Sequence, residues 1–359
     1  MMRTCLTLWA AMLLAVVSAV PVWATTRYVS ATGGGQYTLP SQAEAAAVSG
    51  DTILIGLGTY TESSGITTSK RLNWIGAGWD QTIITASSQW NINSAASKGT
   101  TIEGLRWESN FFPININSSA DSITIRRCIM RATGSTPVIS LQGGRLYMED
   151  GIITLTTSQV AVNITTAGSA LLLRNVVLAP AVNGASVAIN AVAGIGTIEL
   201  YNCVFLNFQN VFNVATGAQP VIAINNVFYD WNASPAFGTF PPASTFDYNA
   251  SSGPAVPGTN GVVIAGNPFV NYDGTANYVI GTSDLHLIGG SNLINTGNPG
   301  LTDIDGSRSD FGVYGGPRAL VDNGVPNYPW AVNIQLSPNV VGQGTPVNAT
   351  AIGRVGPQY

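Results

Sequence analysis

The sequence predicts an all-β protein, a right-handed parallel β-helix wound as a single-stranded solenoid, and three observations support this prediction. A short apolar motif returns along the middle of the chain, as "IRRCIM", "LLRNVVL", "LYNCVF" and "AINNVFY". The spacing between successive copies is typical of solenoid repeats. Within each copy apolar and polar residues alternate, which is the pattern of a β-strand with one buried face.

The register of the repeat is set by the apolar anchor residue near the start of each copy. The anchors are 23, 23, 25, 27 and 24 positions apart: Ile102, Ile125, Met148, Leu173, Leu200 and Ile224. Two places after each anchor we expect a bend between two strands, where glycine and asparagine recur because they tolerate left-handed backbone. These bend positions are Gly104, Arg127, Asp150, Asn175, Asn202 and Asn226. Coils about 4.8 Å apart would stack equivalent residues into columns.

The other elements follow in chain order. The segment "SQAEAAAVSG" predicts a short capping helix with Ser41 at its start and Gly50 at its end. The segments "DTILIGLGTYTE" and "KRLNWIGAGWDQTIIT" predict the first two coils. Residues 231–261 predict a long loop before a last coil near 262–269, and residues 321–359 predict an extended, irregular tail or a sandwich-like pair of strands. The β-helix domain is therefore expected to span residues 25–320.

The first 24 residues predict an export signal. Arg3 gives it a positive start, residues 6–20 form its apolar run, and Ala24 supplies the small residue at the cleavage site. The apolar run is too short for a convincing membrane span. We therefore expect a protein that is secreted or held at the cell surface, with no membrane span once residues 1–24 are removed.

Composition and cysteine spacing narrow the partners and the chemistry. Charged residues make up 9% of the chain, against roughly 25% in typical globular proteins, and the formal net charge is −4. A negative chain argues against nucleic acid as a partner. Cys128 and Cys203 share a register three coils apart, roughly 14 Å at the usual spacing. A disulfide needs Cα atoms closer than about 7 Å, so we predict two free, buried thiols.

Two stretches near the ends of the predicted helix carry a family resemblance. They are "RYVSATGGGQYT…AAAVSGDTILIGLGTYTE" and "DLHLIGGSNLINTGNPG…DIDGSRSDFGVYGGP". Over about residues 27–318 the chain resembles exported bacterial proteins with right-handed parallel β-helix repeats, the pectate-lyase-like superfold. The resemblance implies the fold and export, but not one activity, because this fold hosts lyases, hydrolases, epimerases, adhesins and phage tail proteins. Polygalacturonase-like hydrolases would show paired aspartates with a Gly-His-Gly motif, and this sequence has neither.

Charged residues occupy one column of the predicted coils, one place after the anchors. They are Glu103, Arg126, Glu149 and Arg174, followed by Tyr201 and Asn225. One interpretation is a polysaccharide groove, with an arginine as base and the glutamates as ligands of calcium or sugar. The other is an ion-pair ladder that avoids stacking like charges. The strict alternation of sign favours the ladder, because a calcium cluster needs its acids together.

Aromatic residues gather around the predicted long loop, and Tyr229 and Trp231 are candidates for stacking on a sugar ring. The same rings also suit packing of the loop against a coil, and we weigh this second interpretation more heavily. His286 is the single histidine of the chain, and its place in "DLHL" favours a structural role.

The turn "DIDGSRSD" contains the candidate metal ligands Asp303, Asp305 and Asp310. It resembles half of an EF-hand calcium loop, yet the closing Glu of that motif is missing. Aspartate and glycine also build ordinary turns, so calcium and a plain turn both remain open. We expect no other cofactor.

An apolar stripe lies four places after the anchors, where alternation points side chains outward. Its positions are Arg106, Ile129, Ile152, Val177, Val204 and Phe228. A soluble coil rarely leaves such a stripe bare. We expect the long loop or the C-terminal tail to cover it, and a contact surface for another protein is the alternative.

Two functions are compatible with these patterns. The first is a non-catalytic, exported β-helix that acts as a structural module or binds a polysaccharide or cell-surface glycan. The second is a polysaccharide lyase or glycoside hydrolase acting on an acidic polysaccharide, with the charged column as its site. The sequence leaves the oligomeric state open.

Overall fold

The computed structural model describes residues 24–117, 120–134, 137–157, 160–180, 186–229, 237–253, 257–327, 329–337 and 342–357. They form a right-handed parallel β-helix, as the sequence predicts. Apart from Ala24, the predicted export signal lies outside the described residues.

Three parallel ladders of strands, here called ladders 1, 2 and 3, form the walls of the helix. Ladder 1 contains β1 (Thr26–Val29), β2 (Thr52–Ile55), β5 (Asn73–Gly76), β8 (Thr101–Glu103), β11 (Ile123–Arg126), the first parts of β14 (Arg145–Leu155) and β16 (Ala170–Ala179), β18 (Ile198–Tyr201), β21 (Val221–Ile224) and β24 (Thr245–Asp247). Ladder 2 contains β3 (Gly58–Glu62), β6 (Thr82–Ala86), β9 (Arg106–Ser109), β12 (Ile129–Ala132), the second parts of β14 and β16, β19 (Val204–Leu206), β22 (Val227–Tyr229), β25 (Ala250–Ser251) and β26 (Val262–Val263). Ladder 3 contains β4 (Ile66–Thr68), β7 (Trp90–Ile92), β10 (Ile114–Ile116), β13 (Ile139–Leu141), β15 (Val160–Ile164), β17 (Val187–Ala191), β20 (Asn210–Val214) and β23 (Gly238–Thr239).

The chain bends between ladders 1 and 2 at a residue with left-handed backbone. The bend residues are Gly104, Arg127, Asp150, Asn175, Asn202 and Asn225, with φ between 49° and 69°. The first five were predicted, and the last prediction, Asn226, was wrong by one position. Ala223 pairs with Leu200, so Ala223 and not Ile224 is the anchor of this coil.

The internal column of side chains explains this shift. Asn226 points inward, where its amide donates to the Leu200 carbonyl and accepts from the Cys203 N–H. A buried amide is tolerated there because it satisfies backbone groups that the bend leaves without strand partners. With two adjacent asparagines, the choice of bend residue depends on these contacts, which the sequence pattern does not reveal.

Equivalent side chains stack inside the tube as predicted. Ile125, Leu173 and Leu200 are fully buried and occupy paired positions along ladder 1. Cys128 and Cys203 are buried and free, as the coil spacing predicts. Burial raises the pKa of both thiols, so their reactive thiolate forms are suppressed.

A short helix, α1 (Pro40–Ala46), precedes the first complete coil, and its ends differ from the prediction. The residue before it is Leu39, whose N–H donates to the side chain of Gln42. Ser41 lies inside the helix and bonds Glu62 of the next coil, so it is not the cap. The helix stops at Ala46, before Gly50, because Ala47 already has extended backbone. Short 3-10 helices follow at Ala95–Ser97 and Asp322–Gly324.

Residues 264–320, here called the covering segment, lie along the outer face of ladder 2. The segment contains the antiparallel pair β27 (Phe269–Asn271) and β28 (Asp284–Leu287). The predicted stripe is therefore covered, with Val227 in place of Phe228 because of the register shift. The stripe packs against apolar residues of the covering segment: Phe269, Tyr272, Leu285, Leu293, Phe311, Val313 and Leu320.

The covering segment is neither the predicted 231–261 loop nor the tail that begins at residue 321. Bend asparagines hold it in place: Asn175 donates to the carbonyls of Val313 and Gly315, and Asn202 donates to the carbonyl of Asp310. An asparagine at the bend position therefore has two roles. It tolerates the left-handed backbone, and its side-chain amide anchors a distant segment of the chain.

The C-terminal tail, from residue 321, returns to the bends of the early coils. It contains an antiparallel pair, β29 (Trp330–Ser337) and β30 (Asn348–Arg354), the second of the two predicted alternatives. Arg354 pairs with Asp80 at 3.1 Å. None of the helices in the described part of the chain has the length and apolar character that crossing a bilayer requires.

Candidate functional site

The outward side chains of ladder 1 form a solvent-accessible surface, here called the ladder 1 face. It contains the residues one place before and one place after each anchor: Thr101, Glu103, Thr124, Arg126, Tyr147, Glu149, Leu172, Arg174, Glu199, Tyr201, Ile222 and Ile224. Alternation along each strand puts them outside, because the residues between them fill the core. Ile224 takes the place that the sequence register gave to Asn225.

Three arginines converge on one carboxylate at the edge of this face. The Glu149 oxygens lie 3.4 Å from Nε of Arg126, 3.3 Å from Nη1 of Arg174 and 3.1 Å from Nη1 of Arg318. Each arginine makes this contact through one nitrogen, whereas a guanidinium carries five N–H donors. Positive charge is therefore in excess around Glu149.

A more deeply buried charge group lies beside them. Arg127 reaches Asp150 with a distance of 3.2 Å from Nε to Oδ2, and its Nη1 is 3.9 Å from Glu103. Burial raises the pKa of Asp150 to about 7, although Val321 N–H and Arg127 both oppose the shift. Burial also raises the pKa of Glu103 against the attraction of Arg127 and Arg126. Desolvation outweighs ion pairing at both carboxyls.

These two groups of charges line a small cavity of about 80 Å³, which contains four guanidinium and three carboxyl groups. With all groups ionised the lining has a formal charge of +1, and it becomes +2 when Asp150 holds a proton. A second depression, of about 220 Å³, lies on the same face and is lined in part by Arg145, Tyr147 and Leu172. The face therefore offers cationic groups and half-buried tyrosine rings within a few coils of one another.

Two half-buried tyrosine rings, those of Tyr147 and Tyr201, lie on the ladder 1 face. Arg174 lies over the Tyr201 ring, with the guanidinium carbon 5.7 Å from the ring centroid. The Tyr201 hydroxyl donates to Glu199, which holds the ring in place. Tyr147 lies two coils away on the same column as Glu199.

All four candidates of the charged column, Glu103, Arg126, Glu149 and Arg174, come together here. Arg126, Glu149 and Arg174 pair in the alternating order that the sequence favours, whereas the ion pair of Glu103 is with Arg127. Sequence reasoning missed Arg318, which lies 169 positions from Glu149 and comes from the covering segment. It also treated Arg127 and Asp150 as bend residues alone.

Tyr229, the described member of the two aromatic candidates, is used for packing. Its ring is buried beneath the covering segment against Phe269, at a centroid distance of 5.3 Å, and its hydroxyl donates to the Asp273 carbonyl. A sugar cannot stack on it in this conformation. Trp231 lies outside the described residues.

The three candidate metal ligands accept hydrogen bonds from backbone N–H groups in and around their turn. Asp303 accepts the backbone N–H groups of Asp310 and Gly316, Asp305 accepts the backbone N–H of Ser307, and Asp310 accepts the backbone N–H of Asn295. Arg308 donates to carbonyls and not to these carboxylates. Among the described residues no group of three or more His, Cys, Asp or Glu side chains is arranged to hold a metal ion.

Comparison with known proteins finds solved structures whose fold is similar to that of this chain. No protein-family model matches the chain, and no curated protein sequence matches it. A solved pectate lyase is similar with a TM-score of 0.46 and 17% identity, covering 80% of this chain and 95% of that one. A pectin methylesterase from Aspergillus niger in deglycosylated form gives 0.44 and 16%, covering 68% and 87%. The pectin methylesterase from carrot gives 0.38 and 16%, covering 67% and 88%.

Proposed function

We propose that this chain is an exported polysaccharide-binding protein that holds an acidic glycan on its ladder 1 face. The observation that carries the proposal is the convergence of Arg126, Arg174 and Arg318 on the single carboxylate of Glu149. In a protein whose net charge is −4, the lining of the small cavity beside Glu149 has a formal charge of +1. Guanidinium groups recognise carboxylates through paired N–H donors. A uronate chain presents one such carboxylate at every acidic sugar.

The shape of the face supports the same ligand class. Tyr147 and Tyr201 offer rings that suit the apolar face of a sugar, while Arg126 and Arg174 lie beside them on neighbouring coils. The face runs along the helix axis, so a polymer can contact several coils at once. Many weak contacts along one chain raise the overall affinity without any one being strong.

Arg174→Gln tests the proposal, because it removes a positive charge and leaves a shorter, uncharged side chain that still forms hydrogen bonds. We expect affinity for polygalacturonate to fall about tenfold, the loss of one charged hydrogen bond. Calorimetric titration at low salt, repeated with a fully methyl-esterified polymer, is the measurement. The neutral polymer should bind far more weakly, and added salt should weaken only the acidic one.

Arg131→Gln is the matched control. Arg131 also meets one carboxylate, that of Glu108 at 3.0 Å, and its side chain is 35% exposed against 34% for Arg174. It lies on ladder 2, away from the ladder 1 face. Equal losses in the two variants, or equal binding of acidic and neutral polymers, would contradict the proposed face.

An ultraviolet absorbance assay with the same acidic polymer separates binding from the catalytic alternative. A lyase acting on a uronate polymer releases unsaturated products that absorb in the ultraviolet. Steady release by the wild type, abolished in Arg126→Gln, would establish turnover at this site in place of binding alone.

A further inference from the structure

A second cavity, here called the aromatic cavity, lies between the covering segment and the bends of the early coils. Its volume is about 330 Å³, within the range of small-molecule sites. Its ring-bearing walls are Trp79, Tyr278, His286 and Tyr314, and its acidic groups are Asp284 and Asp322. Ladder 2 closes it on one side through Ile152.

Hydrogen bonds and stacking fix the groups of this cavity in place. The His286 ring stacks on Tyr314 with centroids 3.6 Å apart and an angle of 18°. The Tyr314 hydroxyl donates to Asp322 at 2.9 Å. Asp284 accepts a hydrogen bond from the backbone N–H of His286 at 2.9 Å, and its carboxylate lies 2.7 Å from Nδ1 of the His286 ring. The rings are therefore held in position before any ligand arrives, which lowers the cost of binding.

The charge of the aromatic cavity is opposite in sign to that of the small cavity beside Glu149, whose lining has a formal charge of +1. Asp284 and Asp322 are the charged groups among the described lining residues, and neither arginine nor lysine is among them. Burial raises the pKa of the Tyr278 and Tyr314 phenols, and the charges of Asp322 and Asp284 raise it further. Both carboxylates thus act on both rings. The Tyr278 hydroxyl has no hydrogen-bond partner within the described part of the chain.

We propose that the aromatic cavity binds a small organic cation, with a substituted ammonium group lying against Tyr278 and Tyr314 and facing Asp322. Aromatic faces attract cations through the ring quadrupole, and cages of aromatic side chains recognise quaternary ammonium ions. The carboxylates supply the counter-charge, and Ile280 and Leu320 contact the ligand's carbon atoms. This site does not depend on the glycan proposed for the ladder 1 face.

Choline and its neutral carbon isostere, 3,3-dimethylbutan-1-ol, test the proposal by calorimetric titration of the whole protein. They have nearly the same shape and differ in charge, so we expect choline to bind at least tenfold more tightly. Asp322→Asn keeps the shape of the side chain and should weaken choline binding about tenfold. Tyr314→Leu removes one ring face and should weaken it as well, with thermal unfolding as the check on folding.

Asp305→Asn is the matched control, because it makes the same change in net charge at an exposed turn outside the cavity. We expect it to leave choline binding unchanged. Equal binding of choline and the neutral alcohol, no binding of choline, or equal losses in Asp322→Asn and Asp305→Asn would each overturn the proposal.

Discussion

Arg127→Ala is expected to lower the free energy of unfolding by about 3–5 kcal/mol at pH 8, the cost of leaving one partner of a buried ion pair alone. The Arg127 side chain is 7% exposed and that of Asp150 is 8% exposed. Arg127 also donates to the carbonyls of Val325 and Pro357 at 2.9 and 3.0 Å. Its removal therefore strands a carboxylate and loosens two parts of the C-terminal tail at once.

Denaturant unfolding measures the loss, and amide hydrogen exchange locates it. Exchange should accelerate in residues 321–327 and 354–357 while the inner strands of ladder 1 stay protected. Arg126→Ala is the control, because Arg126 is the adjacent residue, is 50% exposed and makes one ion pair. We expect this control to cost less than about 1 kcal/mol. Similar losses in both variants would show that Arg127 does not secure the tail.

The cost of Arg127→Ala should also depend on pH. Asp150 has a folded pKa of about 7, above the ordinary aspartate value of 3.8. Its contribution to stability is therefore fully present below about pH 4 and is lost as pH rises through about 7. Without Arg127 the carboxyl can escape its unpaired charge by taking up a proton at low pH. The difference between wild type and variant should shrink from pH 8 to pH 5, and Asp150→Asn should remove this dependence.

Trp90→Ala is expected to cost about 3–5 kcal/mol, the range for deleting a large aromatic side chain from a core. Trp90 is fully buried between Trp74 and Trp107, with ring centroids 4.7 and 4.9 Å away. The three rings belong to three different ladders, so together they fill the centre of the tube. The indole N–H also donates to Thr68 at 3.0 Å, a hydroxyl that the variant leaves buried without this partner.

Denaturant unfolding followed by far-ultraviolet circular dichroism measures this prediction. Trp90→Phe is the control, because it keeps an aromatic ring between the two neighbours and should cost clearly less than Trp90→Ala. Partial unfolding of the first coils before the rest would indicate that the stack also limits local opening, since a solenoid coil contacts mainly its neighbours. An equal cost for Phe and Ala would mean that ring stacking contributes little and the Thr68 hydrogen bond dominates.

The sequence register placed most of the ladder 1 residues correctly, and its one error is instructive. Alternation locates a strand but leaves a one-residue ambiguity where apolar and asparagine residues both occur in pairs, as in "AINNV". There the correct choice depends on the inward contacts of Asn226 with Leu200 and Cys203 in the coil before. The helix ends were misplaced for a similar reason, since Ser41 bonds Glu62 of another coil instead of the helix backbone.

The sequence predicted the charged column of the candidate site but not the residue that the covering segment adds to it. Glu103, Arg126, Glu149 and Arg174 share one column, and a column is a direct consequence of a constant repeat. Arg318 belongs to no repeat, and it joins them because the covering segment folds back along the helix. The aromatic cavity was missed altogether, because its rings come from an early bend and from separate parts of the covering segment.

The sequence by itself determined the winding of the coils, the inward and outward columns, and the two unpaired thiols. These properties depend on spacing between near neighbours in the chain, and a periodic pattern records that spacing. Only the tertiary structure decided which segment covers the apolar stripe, which bends anchor it, and which distant charges and rings meet in the two cavities. Such contacts join residues more than a hundred positions apart, and their energy comes from packing and desolvation that leave no local periodicity.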